Sequence, residues 1–184
     1  MKKYIWAILS FVFIYVVGDA ILTEVNKSAK TTRLECQKRA ITFERIYIEK
    51  DIKFAQKLLN NGSVKFTSSV QKAHYSKSKL FEYVKLEDMD TVLKNALKQY
   101  VKEKTGEEKT LNISYYIYEN DIKDPGKKTE KSKLYAGYVV FRFYNQKKEP
   151  IYQIQLDFID KKGVDLPQRI KCAIKSFMTL NHKI

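Results

Sequence analysis

Glycine and proline are scarce in this chain, at 6 and 3 of 184 residues, which excludes a low-complexity linker or a collagen-like repeat. The glycines never form a GxGxxG or a P-loop, so no phosphate cradle is written in the sequence. Histidine occurs only at His74 and His182, and neither has a second His or Cys at metal-ligand spacing. There is no HExxH and no nucleophile elbow. These absences leave no candidate catalytic residue, no metal ligand set and no cofactor site, and the expectation is a protein that is not an enzyme.

Cysteine is nearly absent too. Cys36 and Cys172 are the only pair, and they do not form a CxxC, which speaks against a thioredoxin-type redox role. An even count in an exported chain permits one disulfide, here from the first helical segment to the last helix. Two unpaired small residues are the alternative.

What is present begins with an apolar run from Tyr4 to Val17 behind Lys2 and Lys3, interrupted by Asp19 and resumed by Ala20, Ile21 and Leu22. Basic residues followed by an uncharged apolar stretch resemble a signal peptide, and Gly18 and Ala20 are small enough for a cut after Ala20. The alternative is an uncleaved signal anchor. Tyr4 to Leu22 would span about 28 Å as a helix, enough for the hydrocarbon core. The anchor is the preferred reading, because the run stays apolar past the candidate cut. The expected organisation is a signal anchor (or cleaved signal peptide) over 1–24, a basic stalk over 25–40, and one extracytoplasmic domain over 41–184. The expected location is the inner (plasma) membrane, crossed once, or secretion if the segment is cleaved.

The formal charge of +14 suits anionic lipid, nucleic acid, acidic glycan or an acidic protein. It also follows from a lysine-rich composition spread along the whole chain. Nucleic-acid binding is not expected, since no RNP-like motif occurs.

Hydrophobic periodicity supplies the fold class. Few breakers interrupt the chain from Ile21 to Asn60, and Ile41, Ile48, Ile52, Ala55 and Leu59 recur at helical spacing, so a helix is expected there. Residues 64–86 are mixed: Val64, Phe66 and the Leu80–Leu86 group suit short strands, and the serine-rich centre suits a loop. A second helix is expected over about 88–104, opened by Glu87, Asp88 and Asp90 and closed by Gly106. Three period-two strands follow, centred on Ile113–Ile117, Val139–Phe143 and Ile154–Phe158. Asp165 is placed to cap a last helix with Pro167 in its first turn. The class is α+β: helices packed on a mostly antiparallel three- to four-stranded meander, with a C-terminal helix.

Tyr116, Tyr118, Tyr138, Arg142 and Tyr144 alternate with the apolar strand positions, so they are candidates for an interaction surface. Asp157, Asp160 and Asp165 lie near one strand end, an arrangement compatible with a cation or simply with acidic turns. In the order of its elements the chain resembles the single-pass periplasmic subunits of type IV secretion systems, which pair helices with a curved antiparallel sheet; no motif accompanies that resemblance. The chain lacks the glycine–phenylalanine cleavage site and following glutamate expected of a pilin. The functional expectation is a non-catalytic subunit of a secretion, conjugation or surface-appendage assembly, bound to the membrane through residues 4–22 and to protein partners, acidic or self-associating, through its domain. The alternative is a secreted ligand-binding or inhibitor-like domain.

Overall fold

The computed structural model describes residues 34–38, 40–102, 109–126 and 134–180. The Tyr4–Leu22 run and Gly106 lie outside them. No helix among the described residues is long and apolar enough to cross a membrane. The described residues belong to one compact unit.

The elements are α1 (Glu35–Lys38), β1 (Thr42–Ile46), α2 (Ile52–Asn60), β2 (Val64–Gln71), α3 (Leu86–Lys98), β3 (Leu111–Glu119), β4 (Gly137–Tyr144), β5 (Pro150–Phe158) and α4 (Leu166–Met178). The class is α+β. The sheet has five strands in the order β1-β5-β4-β3-β2. The expected meander forms its centre, with β3, β4 and β5 paired antiparallel. Two edge strands extend it beyond the three or four expected: β1 runs antiparallel to β5, and β2 runs parallel to β3. A parallel pair needs a crossover connection, and α3 lies in the one that joins β2 to β3.

β1 corrects the sequence reading, and β2 lengthens the short strand expected at Val64 and Phe66, whereas the Leu80–Leu86 group forms a helical turn and the start of α3 instead of a strand. Thr42–Ile46 is a strand, not helix. Its residues are β-branched, aromatic or charged and suit a half-buried pleated surface, and the helical spacing of the isoleucines holds only from Ile52 onward. There Ile52, Ala55, Leu58 and Leu59 form the buried stripe of α2. β2 runs straight through Ser68 and Ser69, where a loop was expected. Its even-numbered residues are half-buried and its odd-numbered ones exposed, the period of a strand covered on one side. α3 also starts and stops earlier than expected, at Leu86 and Lys98.

All the helices that touch the sheet pack on one face. Ile113, Tyr115 and Ile117, then Val139, Phe141 and Phe143, then Tyr152, Ile154, Leu156 and Phe158 point into a core closed by α2, α3 and α4. Phe177 of α4 stacks on Phe143 with ring centroids 4.0 Å apart, and Tyr152 lies beside it at 5.7 Å. Stacked aromatics of this kind add to the area they bury. Gln56 of α2 donates from Nε2 to the carbonyls of Phe177 and Leu180, at 2.8 and 3.3 Å, which ties α2 to the C-terminal end of α4, where carbonyls lack intrahelical partners of the regular kind. Gly137 admits no side chain: a Cβ there would lie 2.0 Å from the Tyr118 carbonyl oxygen.

Polar ties hold the periphery. Cys36 and Cys172 form a disulfide across 136 positions of sequence, joining α1 to α4. Beside it, Gln37 is fully buried. Its Nε2 donates to Glu44 Oε1 (2.7 Å) and Ser176 Oγ (3.0 Å), and Tyr152 OH donates to the same Glu44 oxygen (2.6 Å). On the other flank, Tyr115 OH and Ser68 Oγ both donate to Asp90. Asp90 is thus a tie between α3 and the sheet rather than a helix-start charge alone. The final helix is opened differently from expectation: Asp165 makes no side-chain cap. Its carboxylate accepts instead from the Ile159 and Asp160 N–H groups and from Arg169.

A pair of buried carboxylates at the end of β3 organises the loop after β2. Glu119 accepts the backbone N–H groups of Ala73, Lys79 and Leu80. Asp121 accepts those of His74, Tyr75 and Lys123, and the Ser76 hydroxyl. Burial alone would raise both pKa values, but these donors outweigh it: Glu119 is lowered, and Asp121 is held at about 2.

Two outcomes follow from these ties. Reducing the disulfide, or replacing Cys172 by Ser, removes a constraint on a very long loop, for which the chain-entropy model gives on the order of 4–5 kcal/mol. Urea unfolding under oxidising and reducing conditions measures it, and equal midpoints would refute it. The Glu119 and Asp121 carboxyls have lowered folded-state pKa values, so their stabilisation is complete above the unfolded values of about 4 and is lost as pH falls toward 2. Amide exchange of residues 73–80 is expected to accelerate across that acid range before the amides of the central strands do.

Candidate interaction face

The face of the sheet opposite the helices takes its composition from the strand period. Each inward apolar residue is followed by one that points the other way. Register then lines those residues up in rows. Tyr118 lies opposite Tyr138, and Tyr138 opposite Asp157. Tyr116 lies opposite Val140, which pairs with Gln155, and Gln155 with Phe43. Ser114, Arg142, Gln153 and Arg45 form the next row.

All five candidate residues stand on this face. Tyr118 stacks on Tyr138 at 4.5 Å, and Tyr116 meets the Tyr138 ring edge-on at 6.3 Å. Arg142 is exposed and donates from Nε to Gln153 Oε1 at 2.7 Å. Tyr144 OH is 3.2 Å from Ser114 Oγ. Three of the tyrosines therefore form one cluster, and Arg142 and Tyr144 continue the surface along β4.

The structure adds residues that the sequence reading did not select. A cavity of about 570 Å³ lies beside the tyrosine cluster, and its walls include Phe43, Leu134, Tyr135, Tyr118, Tyr138 and Asp157. Phe43 and Leu134 are 51% and 67% exposed. Phe43 escaped notice because its segment was read as helix, and Leu134 because it stands in a loop. Arg45 lies over the Tyr47 ring at 4.7 Å, a cation–π contact that adds a second arginine to the face.

The electrostatics centre on Tyr138. Burial, the neighbouring Tyr116 and Tyr118 rings and the Asp157 carboxylate push its phenol up to about 12, so it stays a neutral donor at physiological pH. Asp157 accepts from Gln155 Nε2 at 3.0 Å. The three aspartates near the end of β5 are not brought together as a site. Asp157 belongs to the open face, whereas Asp160 and Asp165 accept backbone N–H groups of the following turn. Among the described residues no group of three His, Cys, Asp or Glu side chains could hold a metal ion. His74 is exposed and meets the Tyr75 ring edge-on. His182 lies outside the described residues.

No protein family and no curated protein matches this chain. Among solved structures it is similar to a dodecameric PelC variant from Paraburkholderia phytofirmans, with a TM-score of 0.38 and 8% identity over 78% of this chain and 99% of that one. A likeness at that score carries no inference about function.

The Tyr138 assignment is open to ultraviolet titration. Replacing Tyr138 by Phe should remove a phenol that ionises near 12. Asp157→Asn should move that phenol toward the ordinary value of about 10, and an unchanged titration would show that Asp157 does not act on it.

Proposed function

We propose that this chain is a membrane-anchored envelope protein whose extracytoplasmic domain binds other proteins, as a non-catalytic subunit of a secretion, conjugation or surface-appendage assembly. The observation that carries the reading is the open sheet face. It combines half-buried tyrosines with Arg45 and Arg142, and tyrosine and arginine are the residue types enriched where proteins dock. The Cys36–Cys172 bond supports an oxidising compartment, in keeping with the signal-like run at Tyr4–Leu22. An anchor would confine the domain near its partners and raise its effective concentration. The outer edge of β2, with no strand against it among the described residues, offers a second mode of contact by strand addition.

The second reading is a secreted ligand-binding domain released by a cut near Ala20. The cavity beside Tyr138 favours it, being within the size range of small-molecule sites.

Intact-mass measurement on the membrane fraction separates the two. The anchored protein keeps residues 1–20, and their loss would sink the anchor. A photo-crosslinker at Tyr118 or Arg142 in native membranes is expected to give one discrete adduct. The same group at Lys53, on α2, should give none. Adducts of equal yield from both positions would count against the open face as the docking surface.

A further inference from the structure

The loops after β2, β3 and β5 leave the sheet from the same end. β3 runs parallel to β2 and antiparallel to β4, and β4 antiparallel to β5, so the C-termini of β2, β3 and β5 coincide. The hydrogen bonds stitch these loops into one surface. Glu119 and Asp121 hold the loop over 73–80. Ala136 N–H donates to the Phe158 carbonyl, and Asn120 N–H to that of Ala136. Gly163 packs so closely on Val84 that a Cβ there would lie 2.5 Å from it, and Lys162 Nζ sits 5.4 Å from the Tyr83 ring centroid.

This end exposes apolar side chains that the core has no use for. Tyr75, Tyr83, Ile122, Ile159 and Val164 are each between 51% and 73% exposed. They stand on three loops, those that follow β2, β3 and β5. The same loops and their flanks carry exposed lysines: Lys72, Lys79, Lys85, Lys123, Lys161 and Lys162. Of the carboxylates on these loops, Glu82 is exposed and pairs with Lys77 at 4.0 Å, and four others are turned to the protein's own backbone. Asp160 accepts from Lys162 and Val164 N–H, Asp165 from Ile159 and Asp160 N–H, and Glu119 and Asp121 are buried.

We propose that this loop end docks on an anionic bilayer surface. Ile159, Val164 and Tyr83 enter the headgroup layer, and the lysines of the same loops meet lipid phosphates. Exposed apolar side chains accompanied by lysines on the same loops suit a lipid interface, where apolar groups insert and basic groups stay at headgroup level. Tyrosine belongs at the same depth. A protein partner would instead call for a continuous apolar core. The proposal concerns a different surface from the tyrosine face and stands or falls apart from it.

The test is amide exchange of the full chain in nanodiscs of phosphatidylglycerol and of phosphatidylcholine, with intact mass recorded to confirm that residues 1–20 are present. Exchange over 73–85 and 159–165 is expected to slow by at least about threefold in phosphatidylglycerol relative to phosphatidylcholine, and the difference should shrink at high salt. The double variant Lys161→Glu, Lys162→Glu should lose the difference while keeping the disulfide and core protection. Equal exchange in the two lipids overturns the proposal, as does slowing confined to the open sheet face. Should the variant misfold, the salt dependence of the unaltered chain decides the matter: a difference indifferent to salt overturns it.

Discussion

The stack of Phe177 on Phe143, with Tyr152 alongside, holds α4 against the middle of the sheet, and the rest of the architecture is arranged around that contact. Once α4 covers β4 and β5, the inward positions of all three central strands are dry, and α2 and α3 complete the layer. A sheet buried on one side must make its other side tolerable to water. Here tyrosine, arginine, glutamine and serine take those positions, each presenting an apolar stem or ring to the pleat and a polar tip to solvent. The open face is thus a direct consequence of where the helices pack.

The polar ties matter because the edges of the sheet have little apolar content of their own. β1 buries only Thr42 outright. It is held instead by Glu44, which joins Gln37 and Tyr152, within a network that also reaches Ser176 and adjoins the disulfide. β2 is held by Ser68 through Asp90, and by the loop that Glu119 and Asp121 grip. Hydrogen bonds to buried carboxylates are stronger than neutral ones, and losing one partner leaves a charge unsatisfied. The edges are therefore cooperative with the core, not appended to it.

The same distinction explains what could be read from the residues. The central strands and α4 announce themselves through long, regular apolar periods, and the tyrosine face follows from those periods by alternation. β1 was missed and β2 was cut short because their pairing rests on partners remote in sequence. Thr42–Ile46 falls between isoleucines at helical spacing, and Ser68 and Ser69 carry the composition of a loop until Asp90 and β3 are brought beside them. Glu119 and Asp121 do not stand out in the sequence, since nothing local signals the backbone donors some forty residues away. Cys36 and Cys172 could be paired only as a permitted option, because distance in sequence says nothing of distance in space.

Charge completes the division of the surface. Glu119, Asp121, Asp160 and Asp165 at the loop end accept backbone N–H groups and the exposed cations there are lysines, whereas the cations of the open face include Arg45 beside Tyr47 and Arg142 beside Gln153. The two cations differ in kind. A guanidinium is planar, weakly hydrated and stacks on aromatic rings, so it suits a surface that is desolvated on contact. An ammonium on a flexible stem is strongly hydrated and meets phosphate as a point charge. The open face and the loop end therefore carry cations of different chemistry, arginine beside aromatic and amide groups on the one and lysine beside exposed apolar side chains on the other.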